Sequence, residues 1–245
     1  MNFPEMIIFD YGNTLLYEPG YNTMKGNEAL FKYVKNNKNN LTAKDVYEFS
    51  RRIFRLANSV RDLDFELHQW KHQRFCFEYL GLELSISIKE AEKVFWEGSS
   101  YGAVMPGADK MLDYINKKGI RSAVISNISF SENALTERIN RLLPQNKFEF
   151  FIASSEYMFR KPSPYIFELA LRKADLAADD VWFCGDNVRA DVNGAGAVGM
   201  FPVWYDNFEI ENLFRDCSGA VPEYECLHIH DWDKLIEFLN KIKKI

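Results

Sequence analysis

At 245 residues the chain exceeds the common domain size, and about 150 residues per domain gives one large domain or two modest ones. Its 47% hydrophobic and 15% aromatic content is too high for a disordered chain. The 30 Lys plus Arg against 35 Asp plus Glu leave a net charge of −5 with no dense basic stripe, which argues against nucleic acid as a partner. No run approaches the roughly 18 apolar residues of a membrane span, so no membrane association is expected. Cys76, Cys184, Cys217 and Cys226 show no CxxC spacing, and Met1 to Glu5 lacks a basic flank or apolar leader; both features predict a cytoplasmic protein in a reducing compartment.

The first predicted element is Met6-Ile7-Ile8-Phe9, a short apolar run stopped by Asp10 and Gly12, which suits a buried parallel strand better than a helix. About 110 residues pass before the next such run, where a crossover needs only a dozen or so, so something is inserted. Within the insert, Leu30, Phe31 and Val34 recur at helical spacing, as do Val46, Phe49, Ile53, Leu56, Ala57 and Val60, and Leu67 with Trp70. The biased tract Lys35-Asn36-Asn37-Lys38-Asn39-Asn40 reads as a polar loop between helices, and Ser87-Ile88-Lys89-Glu90 has the capping-box form of another helix start. A helical domain over residues 18–103 follows, returning through Pro106-Gly107 to a core made of residues 1–17 and 104–245.

Beyond the insert, strands are predicted at Ser122 to Ile125 ending at Ser126, Phe150 to Ala153 ending at Ser154, and Val181 to Cys184 ending at Gly185-Asp186. A further one, Met200 to Tyr205 ending at Asp206, carries Pro202 and so belongs at an edge or a strand start. Amphipathic stretches alternate with them: Asp109 to Lys118, Glu132 to Leu143, Pro164 to Lys173 and Arg189 to Val198. Tyr224 to His230 and Trp232 to Lys243 predict a last strand and a closing helix. This alternation points to an α/β fold of βαβ units, a parallel sheet with helices on both faces. Ligands of such sheets bind outside the carboxyl ends of the strands, which makes Asp10, Ser126 and Asp186 candidate site residues. Gly194, Ala195 and Gly196 suit close helix–sheet packing.

Asp10-Tyr11-Gly12-Asn13-Thr14, Ser126-Asn127, Lys161-Pro162-Ser163-Pro164, and Gly185-Asp186 with Asp191 follow in that order, most of them at a strand end. Singly each has an ordinary reading: a strand-terminal Asp caps a turn, Ser126 caps the following one, and Lys161 is a solvated loop lysine. Together the series resembles the haloacid dehalogenase superfamily of phosphotransferases and hydrolases, with a helical cap inserted between its first and second motifs. The likeness covers the whole chain and implies a Rossmann-like, three-layer core with an α-helical cap.

The resemblance also implies an activity. Asp10 would be the nucleophile, forming an acyl phosphate and splitting one difficult hydrolysis into two easier steps. Mg²⁺ would sit on Asp10, the backbone carbonyl of Gly12, and Asp186, with Asp191 steadying the metal shell. Ser126 and Lys161 would hold the transferring group, Asn127 is expected near the phosphate or substrate, and Thr14 is expected to fix the loop that cradles it. The expected substrate is a small phosphorylated metabolite, and Mg²⁺ with Lys161 would draw it in despite the overall negative charge.

One position departs from the pattern. Most phosphatases of the superfamily carry a second Asp two residues after the nucleophile, which protonates the leaving group and later activates water; here that residue is Gly12. General acid–base catalysis typically contributes about 10²–10⁴-fold, so ordinary alkyl monoesters should be poor substrates. Three readings stay open: a Mg²⁺-dependent hydrolase of acyl phosphates, anhydrides or aryl phosphates; a phosphonate hydrolase using a cap lysine such as Lys25 or Lys71; and a pseudo-phosphatase that binds Mg²⁺ and a phosphorylated ligand or a protein. The metal-free dehalogenases fit less well, because Gly185-Asp186 retains the metal ligand and position 12 is not bulky.

Other features have two readings each. His68 and His72 have metal-ligand spacing on a predicted helix, but an amphipathic face explains them as well. Cys226, His228 and His230 alternate along one strand face and have suitable ligand types, although a core strand explains them too. In the cap, Arg51, Arg52, Arg55 and Arg74 could reach an anionic substrate, although helical side-chain direction does not tell which of them face the core, and Phe54, Phe75 and Trp96 either line the cavity or pack within the cap.

Overall fold

The computed structural model describes residues 3–210 and 219–242. Cys217, Met1, Asn2 and Lys243 lie outside the described residues. The first half of the chain runs through β1 (Met6–Phe9), β2 (Leu16–Tyr17), α1 (Thr23–Phe31), β3 (Val34–Asn37), α2 (Ala43–Ala57), α3 (Gln69–Tyr79), β4 (Leu82–Leu84), α4 (Ile88–Ser99) and β5 (Ala103–Val104). There follow α5 (Ala108–Lys118), β6 (Arg121–Ser126), α6 (Glu132–Leu142), β7 (Phe151–Ala153), α7 (Ser154–Tyr157) and α8 (Pro164–Ala174). The chain then forms β8 (Val181–Gly185), α9 (Gly194–Ala197), β9 (Phe201–Tyr205), β10 (Leu227–Ile229) and α10 (Trp232–Lys241).

Six strands make one sheet in the order β10-β9-β8-β1-β6-β7, with every neighbouring pair parallel. Side chains alternate across it, as strand geometry requires. Ile7 and Phe9 join one apolar layer with Val124, Trp182 and Trp232, whereas Met6 and Ile8 join the other with Ile125, Phe167 and Phe183. Both faces of β1 are therefore covered, which is why its four residues are all apolar and all buried. Pro202 sits in β9, which is paired on both sides, by β8 and β10. Of the two positions expected for Pro202, the edge goes to β10, and Pro202 stands at the start of its strand, second in β9.

Leu16 pairs with Val104 and Tyr17 with Ala103, antiparallel, so the chain leaves the sheet and returns to it at one place. Between these short strands lie α1 to α4. The capping box at Ser87 is present: its side chain accepts from Glu90 N, while the Glu90 carboxylate accepts from Ser87 N at 2.9 Å. Thr42 and Asp45 form a second box at the start of α2.

Two segments differ from the sequence expectation. The Asn-rich tract is not all loop, because Val34–Asn37 pairs antiparallel with Leu82–Leu84. Its polar composition concealed a strand whose residues are only half-buried or exposed. The helix expected over Arg189 to Val198 is split into a wide π-type turn over Val188–Asn193 and the short α9. Gly194 and Gly196 allow close approach of Phe167 and Tyr224, while Ala195 packs into the sheet's apolar layer with Met6, Ile8 and Phe183. Among the described residues no helix is long and apolar enough to cross a membrane.

Candidate active site

β1 lies in the middle of the sheet, with β6 and β7 on one side and β8, β9 and β10 on the other. Chain connections on its two sides run in opposite directions, so loops diverge at its carboxyl end and leave a crevice there. Asp10 follows β1, Ser126 ends β6, and Asp186 follows β8, so the sheet itself delivers all three to that crevice. A cavity of about 1340 Å³ opens at this point. Every predicted site residue except Thr14 lines it: Asp10, Gly12, Ser126, Asn127, Lys161, Asp186 and Asp191. Thr14 is fully buried and does not line the cavity.

Lys161 is the central cation. Its Nζ lies 2.6 Å from Asp10 Oδ1 and 2.7 Å from Asp191 Oδ1, and donates to the carbonyl of Ile125 at 3.0 Å. It also sits 4.9 Å from the centroid of the Phe183 ring. The side chain is buried, so it is not the solvated loop lysine of the ordinary reading. Asn127 explains its placement: the amide accepts from Lys161 N at 2.7 Å and donates to Lys161 O at 2.8 Å, clamping the backbone. Asn127 thus acts on Lys161 as well as lining the cavity.

Asp191 reaches the cluster through the widened turn. Its Oδ2 accepts from Asn187 N at 2.9 Å, and Asn187 in turn caps Ala190 N at 2.7 Å. Gly185 is required here, since a Cβ at that position would overlap the Asp191 carboxylate. Asn13 was missed from the sequence: its Nδ2 donates to Asp186 Oδ2 at 3.2 Å, from a backbone at φ 55° that Asn tolerates better than most residues. An Asn after a glycine in a strand-end loop was the available signal.

Carboxylate oxygens of Asp10, Asp186 and Asp191 lie within 4.8 Å of one another. Burial, followed by the charge of Asp191 and opposed by Lys161, pushes the Asp10 carboxyl up to about 6. Burial and then the charges of Asp191 and Asp10 hold Asp186 well above the usual carboxylate range. Burial alone would lower the Lys161 ammonium, but Asp10 and Asp191 outweigh it and raise it. One ammonium against three carboxylates leaves the cluster net negative, and its ligand atoms are all oxygen. These residues fit a hard divalent cation such as Mg²⁺.

Among the described residues, a Cβ built on Gly12 would meet only Asp10 Oδ2, at 3.9 Å, within 4 Å. The missing second carboxylate is therefore not a consequence of crowding.

The structure settles which side chains form the outer wall. Arg61, Arg160 and Arg189 line the cavity, and none of Arg51, Arg52, Arg55 and Arg74 does. Arg61 donates to Glu66 at 2.8 Å and Ser129 Oγ at 2.7 Å. Trp96 is on the wall, stacked on Phe130 at 4.0 Å, while Phe54 and Phe75 pack elsewhere. Neither Lys25 nor Lys71 lines it. His68 and His72 do not converge on a metal: His68 caps α3, its Nδ1 accepting from Trp70 N, and His72 Nε2 lies 3.1 Å from Ser50 O.

Arg138 joins the insert's stem to the sheet's helices. It donates to both Glu18 oxygens at 2.8 Å and to Ser100 O at 2.8 Å, with its guanidinium 3.9 Å from the Trp96 ring centre. Glu18 also accepts from Tyr11 Oη at 2.5 Å and Trp96 Nε1 at 3.2 Å. Further out, the buried Glu92 of α4 accepts from Trp70 Nε1 at 2.8 Å and from Ser131 N and Oγ at 2.7 and 2.6 Å.

A family model described as haloacid dehalogenase-like hydrolase matches residues 4–199, a span that contains the whole carboxylate–lysine cluster. The ribulose-1,5-bisphosphate 5-phosphatase of Halopiger xanaduensis is 24% identical over 167 residues, 65% of this chain and 69% of that protein. The glyceraldehyde 3-phosphate phosphatase of Pyrococcus furiosus is 31% identical over 142 residues, 58% of this chain and 57% of that protein. The match thus spans little more than half of this second relative. In three dimensions, a 2-haloacid dehalogenase from Pseudomonas syringae superposes with a TM-score of 0.62 at 21% identity, covering 97% of this chain and 99% of that one. That likeness concerns the fold alone.

Proposed function

The chain belongs to the haloacid dehalogenase-like hydrolase family, and from that premise we propose that it is a Mg²⁺-dependent phosphatase of small phosphorylated metabolites with good leaving groups. The observation that carries the reading is the buried Lys161 bridging Asp10 and Asp191 at the floor of the cavity. A dehalogenation of neutral carbon has no need of three converging carboxylates, whereas a phosphate dianion needs the cation they would hold. The phosphatase names of the two relatives agree with this choice.

In the reaction, a carboxylate oxygen of Asp10 attacks phosphorus and the bond to the leaving oxygen breaks, giving an aspartyl phosphate that water then hydrolyses. Asp10, Asp186 and the Gly12 carbonyl would hold Mg²⁺, with Asp191 behind them, and the ion would offset repulsion between phosphate and carboxylates. Lys161 keeps Asp10 oriented and offsets its charge, and the Ser126 hydroxyl would donate to a phosphoryl oxygen. Residues 18–103 act as a cap over the cavity, and the insert's Arg61 and Trp96 face the substrate side. Cys76, Cys184 and Cys226 are free thiols, the first two buried, in keeping with a cytoplasmic setting.

Gly12 carries no proton donor, so the leaving group must depart unaided or bring its own acid. Acyl phosphates, anhydrides and aryl phosphates meet that condition. The test is a Mg²⁺-dependent screen of acetyl phosphate, aryl phosphates and sugar phosphates with wild type, Asp10→Asn and Gly12→Asp. Turnover of acetyl and aryl phosphates that disappears in Asp10→Asn supports the reading. Equal silence of wild type and Asp10→Asn, with a phosphorylated ligand still bound, selects the second reading that Gly12 favours, a pseudo-phosphatase. The phosphonate alternative loses its support because neither cap lysine faces the cavity.

A further inference from the structure

Away from the carboxylate cluster, the carboxyl ends of β9 and β10 bring a second set of ligand types together. Asp206 follows β9, His228 lies in β10, and His230 follows it. A carboxylate oxygen of Asp206 and one ring nitrogen from each histidine lie within 4.8 Å of one another, and the group shares no residue with Asp10, Asp186 and Asp191. We propose that Asp206, His228 and His230 form a binding site for a borderline divalent transition-metal ion, Zn²⁺ in the first instance.

The sequence alternation of Cys226, His228 and His230 supplies two of these ligands. The third comes from the neighbouring strand, not from Cys226. The parallel register pairs Tyr205 with Ile229, and Asp206 N donates to Ile229 O at 2.8 Å, which fixes the carboxylate beside the two rings. Ring orientation is fixed as well. His228 lies flat on Trp204, with centroids 3.8 Å apart at 6°, and its Nε2 is 3.4 Å from Asp206 Oδ2. His230 Nδ1 is 2.8 Å from the Asp206 carbonyl; when it donates there, the ring's lone pair rests on Nε2, and metal-bound histidines are commonly anchored by such a main-chain partner. Two imidazoles and one carboxylate suit Zn²⁺, Ni²⁺ or Cu²⁺ rather than Mg²⁺. Three protein ligands leave a coordination position for water, and the part-exposed His228 side chain gives the ion a route from solvent. The bound ion would clasp the edge strand β10 to β9.

The test uses untagged protein carrying Asp186→Asn, so that the carboxylate cluster does not compete for the ion. Isothermal titration with Zn²⁺ should show one equivalent bound, with thermal stabilisation, and Co²⁺ should give visible absorption from a nitrogen- and oxygen-ligated site. Adding His228→Ala or His230→Ala should weaken Zn²⁺ binding about tenfold or more and abolish the Co²⁺ band. His228→Gln, which keeps a polar side chain of similar length beside Trp204 but no imidazole, should behave like His228→Ala. Absence of Zn²⁺ binding in the Asp186→Asn protein overturns the proposal, and so does affinity unchanged by the histidine substitutions.

Discussion

Lys161 Nζ lies 2.6 Å from Asp10 Oδ1 although 151 positions separate them in the chain, and the same ammonium is 2.7 Å from Asp191 Oδ1. With 1% of the lysine side chain exposed, water offers these charges no substitute for one another. Removing the cation should therefore cost stability and activity together. Lys161→Met is expected to lose about 3–5 kcal/mol of metal-free stability, the usual consequence of stranding a buried charge. Activity should fall by about 10²-fold or more. Urea denaturation with and without Mg²⁺ checks this: the deficit should shrink when Mg²⁺ takes over part of the neutralisation.

Gly12 has room for a side chain, with only Asp10 Oδ2 among the described residues within 4 Å of a built Cβ. Gly12→Asp should therefore fold normally and supply the missing proton donor. Turnover of alkyl monoesters should rise by about 10²-fold, while acetyl phosphate, which needs no acid, changes little. The ratio of kcat/KM for the two substrate types is the measurement. An unchanged ratio would show that position 12 does not govern leaving-group choice.

Gly185 is a glycine because the Asp191 carboxylate occupies the space of its Cβ. Gly185→Ala should push Asp191 away from Lys161, lowering stability by about 1–3 kcal/mol. Affinity for Mg²⁺ should fall as well, because Asp191 steadies the cluster. Calorimetric Mg²⁺ titration of the two proteins tests this, and equal affinities would sink it.

Arg138 ties Glu18 and Ser100 of the stem to α6, and packs on Trp96. Arg138→Met preserves much of the packing yet leaves Glu18 facing Tyr11 and Trp96 without its cation. A loss of about 3 kcal/mol is expected, with KM raised more than kcat is lowered, because the wall containing Trp96 shifts. Adding Glu18→Gln should recover part of the stability. No recovery in the double variant would mean that the ion pair itself contributes little.

His72 of α3 faces α2, its Nε2 against Ser50 O and its Nδ1 buried without a partner among the described residues. Burial lowers its pKa below the ordinary 6.5, because a proton on Nδ1 would find no acceptor. The unfolded chain then binds more protons than the folded one as pH falls from about 6.5, so stability from this residue is complete above that pH and lost below it. Denaturation midpoints between pH 7.5 and 5 should fall more steeply for wild type than for His72→Gln. Parallel slopes would remove the assignment.

Much of the core was legible because its signals are local. A strand covered on both faces must be apolar throughout, so Met6–Phe9 and Val181–Gly185 announce themselves, and the residues that stop them fall at the crevice. The capping pair Ser87 and Glu90 is read from four consecutive positions. Val34–Asn37 was not legible, since its partner Leu82–Leu84 is distant in sequence and neither strand has a fully buried face.

By itself the sequence determined the βαβ order and which polar residues stand at strand ends, because each depends on side-chain periodicity and its interruption along a short stretch of backbone. Only the tertiary structure decided that Asn127 clamps Lys161, that Asn13 reaches Asp186, that Arg61, Arg160 and Arg189 face the cavity, and that Asp206 joins His228 and His230. Those relations depend on sheet register, a widened turn and the docking of the insert, which are set by packing between elements far apart in the chain.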